Sequence, residues 1–107
     1  PVATADGWFT IFWNRRYELT RALVFIDPDL NEHWLRHTAL EEMFQTLGPG
    51  NDSPRIRDSL VFEGGDSAGS HTRLAHVDEQ VLRLLYCELQ PGDTARDIER
   101  AMRRSWR

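Results

Sequence analysis

The sequence feature that most constrains the fold is a pair of aromatic and β-branched runs at residues 7–13 and 21–27. Trp, Phe, Ile and Val favour extended backbone, and the polar residues 14–18 between the runs have the composition of a turn. The two runs therefore predict adjacent antiparallel strands. Because the patterns that follow are helical, we expect an α+β fold with a short antiparallel or mixed sheet.

A first helix is predicted to begin at Asp29 or Asn31 and to run to about Leu47, just before a Gly-Pro-Gly breaker. At about 100° per residue, Glu41 and Gln45 lie on a different face of this helix from its apolar residues. We expect the apolar face to be packed and the polar face to be displayed. The apolar positions are Ala39, Leu40, Met43, Phe44 and Leu47.

Two more helices are predicted, at residues 74–85 and 95–106, and the Pro-Gly-Asp-Thr segment 91–94 separates them and caps the second. Residues 51–70 are rich in Gly, Asp, Ser and Pro and predict a long loop with an apolar island at residues 60–62. A loop of this length in a compact domain is usually functional or mobile. The last helix is expected to pack on the body through Ile98, Ala101, Met102 and Trp106.

The composition limits the size of the fold and its partners. A chain of 107 residues predicts one domain, 1–107, and its 28% of charged residues without a long apolar run predict no transmembrane segment. The net charge of −4 argues against nucleic acid as a partner, because phosphate backbones need clustered cations. A lone cysteine, Cys87, excludes an internal disulfide, and its apolar neighbours favour a buried, inert thiol.

One helical segment has the spacing of a zinc-peptidase motif. Such a helix carries two His four residues apart, which reach one Zn²⁺, and a Glu after the first His as general base; metzincins add a Gly turn and a third ligand. The matching positions here are Glu41 at the first His, Glu42 at the base, Gln45 at the second His, Gly48 at the turn and Asn51 at the third ligand, with Asp52 next to it. The spacing is kept, but the histidines are absent.

Further residues extend this pattern: Ser59, Phe62, Leu74, Asp78, Leu82, Leu84, Leu85, Tyr86, Leu89, Pro91 and Gly92. Together with the motif they resemble the domain of unknown function 2927 family, proteobacterial proteins largely assigned as lipoproteins, over about the last two-thirds of the chain. Cys87-Glu88 stands where that family usually has Asp-Pro. The later segment is also similar to the helix that closes matrixin-type catalytic domains.

The resemblance implies a small, degenerate metzincin-like domain, in which a short sheet packs on an active-site-type helix and two further helices follow. It also implies more sequence in front, so the chain is either the C-terminal part of a longer protein or a minimal version. The expected location is the cell envelope, the periplasm or the exterior, with a lipid anchor upstream. A cytoplasmic location is the alternative.

The chemical types of the candidate ligands indicate which metal, if any, would bind. Neutral Gln45 is a poor zinc ligand and the set lacks imidazoles, so we expect no zinc cofactor. A divalent Ca²⁺ or Mg²⁺ held by Glu41, Asp52 and loop carbonyls matches the oxygen donors better. In the third interpretation, the degenerate ligand positions Glu41, Gln45, Asn51 and Asp52 hold no metal, and the adjacent carboxylates are solvated or cap backbone groups.

The four histidines offer a different set of ligands. His33, His37 and Glu41 are spaced four residues apart, but such a stripe drifts around the helix, so we expect both histidines at the surface or in the first helical turn. His71 and His76 flank the start of the second helix. They could approach the motif helix from the loop side, although capping or solvent contact is the expected role.

Three functions remain open. The first is a non-catalytic, metzincin-like binding or structural domain that uses the cleft beside Glu41, Gln45 and Asp52. The second is an atypical metal-dependent hydrolase, or peptidase, with Glu42 as general base. The third is an interaction subunit of a larger assembly. It would dock a protein partner through exposed Trp8, Trp13 and Trp34 and through the basic helix at residues 96–107.

Overall fold

The computed structural model describes residues 6–53, 55–62 and 71–106. Over these ranges the chain forms an antiparallel hairpin followed by three α-helices, the second of which continues into a π-helical turn. This arrangement confirms the predicted α+β class. The elements are β1 Gly7–Trp13, β2 Leu19–Ile26, α1 Glu32–Thr46, α2 His76–Arg83, the π-helical turn Leu84–Glu88, and α3 Ala95–Ser105.

The hairpin pairs β1 with β2 in antiparallel register, from Gly7 opposite Ile26 to Phe12 opposite Arg21, with an irregularity after Phe12. The second strand begins at Leu19, two residues earlier than predicted. Cross-strand partners share a face of the sheet. Trp8 and Phe25 therefore lie together on one face, with their ring centroids 5.2 Å apart.

Helix α1 begins where the sequence predicts, because the Asn31 side chain accepts a hydrogen bond from the Trp34 backbone N–H. It ends at Thr46, and Gly48 then adopts a φ of +137°, a value that suits glycine. The predicted division of faces is only partly correct. Phe44 is buried, but Met43 and Leu47 are exposed.

The polar side of α1 is the side that the hairpin covers. His37, Thr38, Glu42 and Gln45 are all buried, so the expectation of a displayed polar face is wrong. At Thr38 and Glu42 the reason is the path of β1, since a Cβ on Gly7 would overlap Thr38 Cγ2 and lie 3.0 Å from Glu42 Cγ. The absence of a side chain at Gly7 lets the strand approach the helix at this point.

The apolar core consists of two small clusters. In the first, Phe44 of α1 packs with Leu60 and Val61 of the apolar island, and Leu40, Leu74 and Leu82 border them. In the second, Leu84, Leu89 and Ala101 join the π-helical turn to α3, with Leu85 and Trp106 at the edge. Ala101 and Trp106 pack as predicted, whereas Ile98 and Met102 are exposed. The predicted loop at 51–70 is described at 51–53 and 55–62, and residues 63–70 lie outside the described residues.

The π-helical turn explains why Cys87 is exposed, contrary to the expected buried thiol. The Leu89 backbone N–H donates to the Leu84 carbonyl, five residues back. This wider turn brings Leu84 and Leu89, rather than residues four apart, to the same buried side. Cys87 consequently faces outward.

Among the residues described, none of the helices combines the length and the apolar character required to cross a lipid bilayer.

Candidate functional site

The candidate site is the polar side of α1 together with the turn that follows the helix. Gln45 is buried to 4% exposure and Glu42 to 8%, while the Glu41 side chain is more accessible at 22%. All three carry hydrogen-bonding or ionisable groups into a region that the hairpin partly covers. Buried groups of this kind require partners. The partners therefore define what the site can do.

The turn after α1 brings Gln45, at the second ligand position of the motif, against Asp52, which follows the third ligand position. The Gly48 N–H donates to the Gln45 carbonyl, and the chain then reverses. As a result the Gln45 Nε2 donates to Asp52 Oδ1 across 2.9 Å. Asn51 is exposed beside this bond. The amide of Gln45 is thus engaged by a carboxylate of the protein itself.

Glu41, at the first ligand position, is paired with His37. The His37 Nε2 lies 2.6 Å from Glu41 Oε2, and the His37 Nδ1 contacts the His71 carbonyl oxygen. A carbonyl and an ionised carboxylate only accept hydrogen bonds, so both ring nitrogens of His37 donate when it is protonated. His37 is buried, so the expectation that it lies at the surface is wrong.

The pKa of His37 is raised above 6.5. Burial opposes the charged ring, but the hydrogen bonds to Glu41 and to the His71 carbonyl, with the negative charges of Glu41 and Asp6, outweigh it. Both ring nitrogens of His37 are engaged, Nε2 by Glu41 and Nδ1 by the His71 carbonyl. His37 therefore satisfies Glu41 within the protein.

Glu42, at the general-base position, has the most perturbed ionisation. Burial is the main cause, followed by the negative charges of Glu41 and Asp52; together they outweigh His37 and raise the pKa of Glu42 to about 7. Its Oε2 is buried without a hydrogen-bond partner among the described residues. Such a carboxyl group is able to hold or release a proton near neutral pH.

The other histidines lie apart from this arrangement or contribute backbone. The ring of His71 contacts the Arg57 carbonyl at 2.6 Å, so His71 links two loop segments and approaches α1 through its own carbonyl. His76 starts α2 and is exposed, and His33 is exposed beside Trp34. Over the described ranges, no group of three or more His, Cys, Asp or Glu side chains is placed to hold one metal ion.

Asp78 organises the loop behind the site, a role that the sequence reasoning missed. Its Oδ1 accepts from the Ser59 hydroxyl at 2.6 Å, and its Oδ2 accepts from the backbone N–H groups of Leu60 and Ala75 at 2.8 and 2.9 Å. The sequence does carry a signal for this role, because Asp78 is the third residue of α2, where an acidic side chain can cap the start of the helix. Asp78 therefore fixes the apolar island beneath Phe44.

The tryptophans predicted for docking differ in accessibility. Trp13, at the end of β1, is 61% exposed and Trp8 is 42% exposed. Trp34 is half-buried between the rings of His33 and His37. The hairpin consequently presents the first two tryptophans, and α1 covers part of the third.

In a comparison with protein families, residues 5–104 match the model described as Protein of unknown function (DUF2927). Comparison with curated proteins and comparison with solved structures each gave no match. The family match includes the hairpin as well as the helices, so it extends over more of the chain than the two-thirds expected from the motif residues.

Proposed function

This chain belongs to the DUF2927 family of proteins of unknown function, and on that premise we propose that it is a non-catalytic, metzincin-like domain with a binding or structural role. The likeness to metzincins is supported by the order of parts. A strand precedes the motif helix, a Gly turn follows it, and Asp52 returns to Gln45.

One observation carries the proposal: both positions that would hold zinc histidines are paired within the protein. Glu41 is bound to His37, and Gln45 donates to Asp52. Zinc requires deprotonated nitrogen, sulfur or carboxylate ligands. A donating amide and a carboxylate engaged by a histidine do not fit that requirement. In this proposal the former ligand positions hold α1, the turn and the loop together.

The proposal is tested by restoring the histidines in a double variant, Glu41→His with Gln45→His. In a metzincin-like helix the two imidazoles would lie beside Asp52, and the folded variant is expected to gain zinc affinity by isothermal titration calorimetry. The wild type is expected to show none. Because any two histidines four residues apart bind zinc weakly, Glu99→His with Arg103→His on exposed α3 serves as the matched control. Equal affinity in the two double variants would contradict the metzincin-like geometry.

A second candidate function is supported by Glu42. Its pKa of about 7 and its buried, unpartnered Oε2 suit a general base, which would take a proton from an attacking water in an atypical metal-dependent hydrolase. The donor set described above does not fit zinc, so no step is derived through a metal. Hydrolysis of a mixed peptide library that is lost in Glu42→Gln would establish this function. If neither the wild type nor Glu42→Gln hydrolyses the library, the non-catalytic proposal stands.

The location of the domain is proposed from the lipoprotein resemblance. This resemblance supports a location in the cell envelope, the periplasm or the exterior, with a lipid anchor upstream of the domain. Fractionation of the native host, with detection by antibody, would test this assignment. Recovery in the cytoplasmic fraction would contradict it.

A further inference from the structure

An open groove of about 670 Å³ lies at the end of the molecule where the hairpin turn meets the C-terminal helices. Its volume is within the range of ligand-binding clefts. Its lining includes the apolar residues Leu47 and Leu89 and three aromatic rings, those of Trp13, Tyr17 and Tyr86. All three aromatic side chains are exposed. The groove is separate from the Glu41, Glu42 and Gln45 cluster.

The ring of Tyr17 is held in place by an unusual backbone. Tyr17 has a φ of 62°, a left-handed conformation that costs a bulky residue free energy. Asn14 imposes it, because its side-chain Oδ1 accepts from the backbone N–H groups of Arg16 and Glu18 and its carbonyl accepts from Tyr17 N–H. The ring lies over Gly92, whose own φ is +90°. The strained backbone of Tyr17 therefore lies at this groove, and such strain is found at binding sites.

Tyr86 is fixed by a different contact. Its hydroxyl donates to the Leu47 carbonyl across 2.5 Å, which ties the π-helical turn to the end of α1. The ring still lines the groove with more than half of the residue accessible. Rings whose orientation is set before binding lose little entropy when a ligand arrives. The groove is therefore pre-organised on two sides.

The charge of the groove is acidic. Among the residues that line it, the charged ones are Glu18 and Asp93, while Arg15 lines an adjoining hollow that shares Trp13 and Tyr17. Each carboxylate is oriented by a hydrogen bond to one oxygen: Glu18 Oε1 accepts from Asn14 Nδ2, and Asp93 Oδ2 accepts from Gln90 N–H. The remaining oxygens can accept from a ligand. Aromatic faces beside carboxylates favour a cation, through cation–π attraction and charge-assisted hydrogen bonds.

We propose that this groove binds an extended cationic peptide segment of a partner protein, whose arginine or lysine side chains lie on the three rings and reach Glu18 and Asp93. An extended segment fits because aromatic-lined grooves bind polyproline-type backbone with a low ordering cost. This inference goes beyond the proposed function. It concerns a different surface, and the variants that test it leave the motif helix unchanged.

The test uses a fluorescein-labelled peptide of alternating arginine and proline, with fluorescence anisotropy as the readout. Saturable binding is expected, and the matching glutamate–proline peptide is expected not to bind. Trp13→Ala should weaken binding about fivefold to tenfold, as expected for loss of one cation–π contact. Trp8→Ala is the matched control, because it removes the same side chain from outside the groove and leaves the net charge unchanged.

A second pair of variants isolates the charge. Glu18→Gln with Asp93→Asn should weaken binding at least as much, whereas Glu32→Gln with Glu99→Gln removes the same net charge elsewhere and should not. Equal effects of the two pairs, or no effect of Trp13→Ala, would overturn the proposal, since binding would then follow overall charge. Sedimentation that shows a dimer dissolved by Trp13→Ala would also overturn it, because the occupant would be a second copy. Melting curves confirm that each variant is folded.

Discussion

Glu42 is the residue at which the fold most strongly alters side-chain chemistry. In the unfolded chain it ionises near its ordinary pKa of 4.5, but in the folded protein burial and neighbouring Glu41 and Asp52 raise the pKa to about 7. The folded state therefore binds the proton more tightly. A group whose pKa is raised by folding stabilises the protein most when the pH is below the pKa of the unfolded state. This stabilisation is lost as the pH rises through the pKa of the folded state. His37, whose pKa is also raised, contributes in the same direction.

We predict that the free energy of unfolding falls by roughly 3 kcal/mol as pH rises across the window from about 4.5 to about 7. Glu42→Gln removes this carboxyl group and should flatten much of the decline, leaving the part that His37 contributes. Urea unfolding of both proteins at a series of pH values measures the difference. A difference between wild type and Glu42→Gln that does not change with pH would contradict the raised pKa.

Asp78 is a second residue whose buried contacts affect the stability of the fold. It is 2% exposed and accepts three hydrogen bonds, from Ser59, Leu60 and Ala75, so its removal leaves two backbone N–H groups and a hydroxyl without their buried acceptor. Losing several such bonds at once is among the more costly changes in a small domain.

Accordingly, Asp78→Ala should lower the free energy of unfolding by about 3 kcal/mol or more. Ser59→Ala, which removes one of the three donors to Asp78 and also the acceptor of the Val61 N–H, should cost less, about 1–2 kcal/mol. Chemical denaturation of the two variants measures both values. Equal small losses would show that the Asp78 contacts are not formed in solution.

At the scale of elements, the contact between β1 and α1 determines the site. The strand passes close to the helix at Gly7, beside the buried residues Thr38 and Glu42. The hairpin has only two strands in the described part of the chain, and two strands alone are marginal in water. Packing on α1 is therefore what stabilises the hairpin, and the hairpin in turn sets the ionisation of Glu42.

We expect Gly7→Ala to destabilise the protein by roughly 1–3 kcal/mol, because the added methyl group would overlap Thr38 and crowd Glu42. Gly50→Ala is the matched control. There a Cβ would lie 3.6 Å from the Phe9 ring, an ordinary contact, and a change below about 0.5 kcal/mol is expected. Thermal and urea unfolding provide the measurement. A Gly7→Ala protein as stable as Gly50→Ala would mean that β1 does not approach α1 so closely.

At the scale of the whole molecule, the sequence predicted where the strands and helices lie better than it predicted which face of each helix is buried. The hairpin and the three helices follow from local signals: aromatic runs, the Asn31 cap, the Gly turn and the Pro-Gly break. The buried polar side of α1 was missed because periodicity identifies two faces of a helix but not which one a distant strand covers. Cys87 was misplaced for a related reason, since the pattern of a π-helical turn is close to that of an α-helix.

The contacts of the motif residues follow the sequence spacing for Gln45 but not for Glu41. The spacing placed Gln45 near residues 51 and 52, and the structure joins it to Asp52. The partner of Glu41 was not predicted, because spacing alone places His37 at the surface, whereas in the structure it is buried and contacts the His71 carbonyl. The aromatic groove combines four separate stretches of chain, so no local pattern could reveal it.

We propose that the zinc-motif positions are satisfied within the protein and hold no metal. The most direct measurement is metal content by elemental mass spectrometry on protein purified without a metal-affinity step, paired with melting curves with and without chelator. We expect substoichiometric metal and a Tm that the chelator does not change. One metal ion per chain, whose removal lowers the Tm, would contradict it.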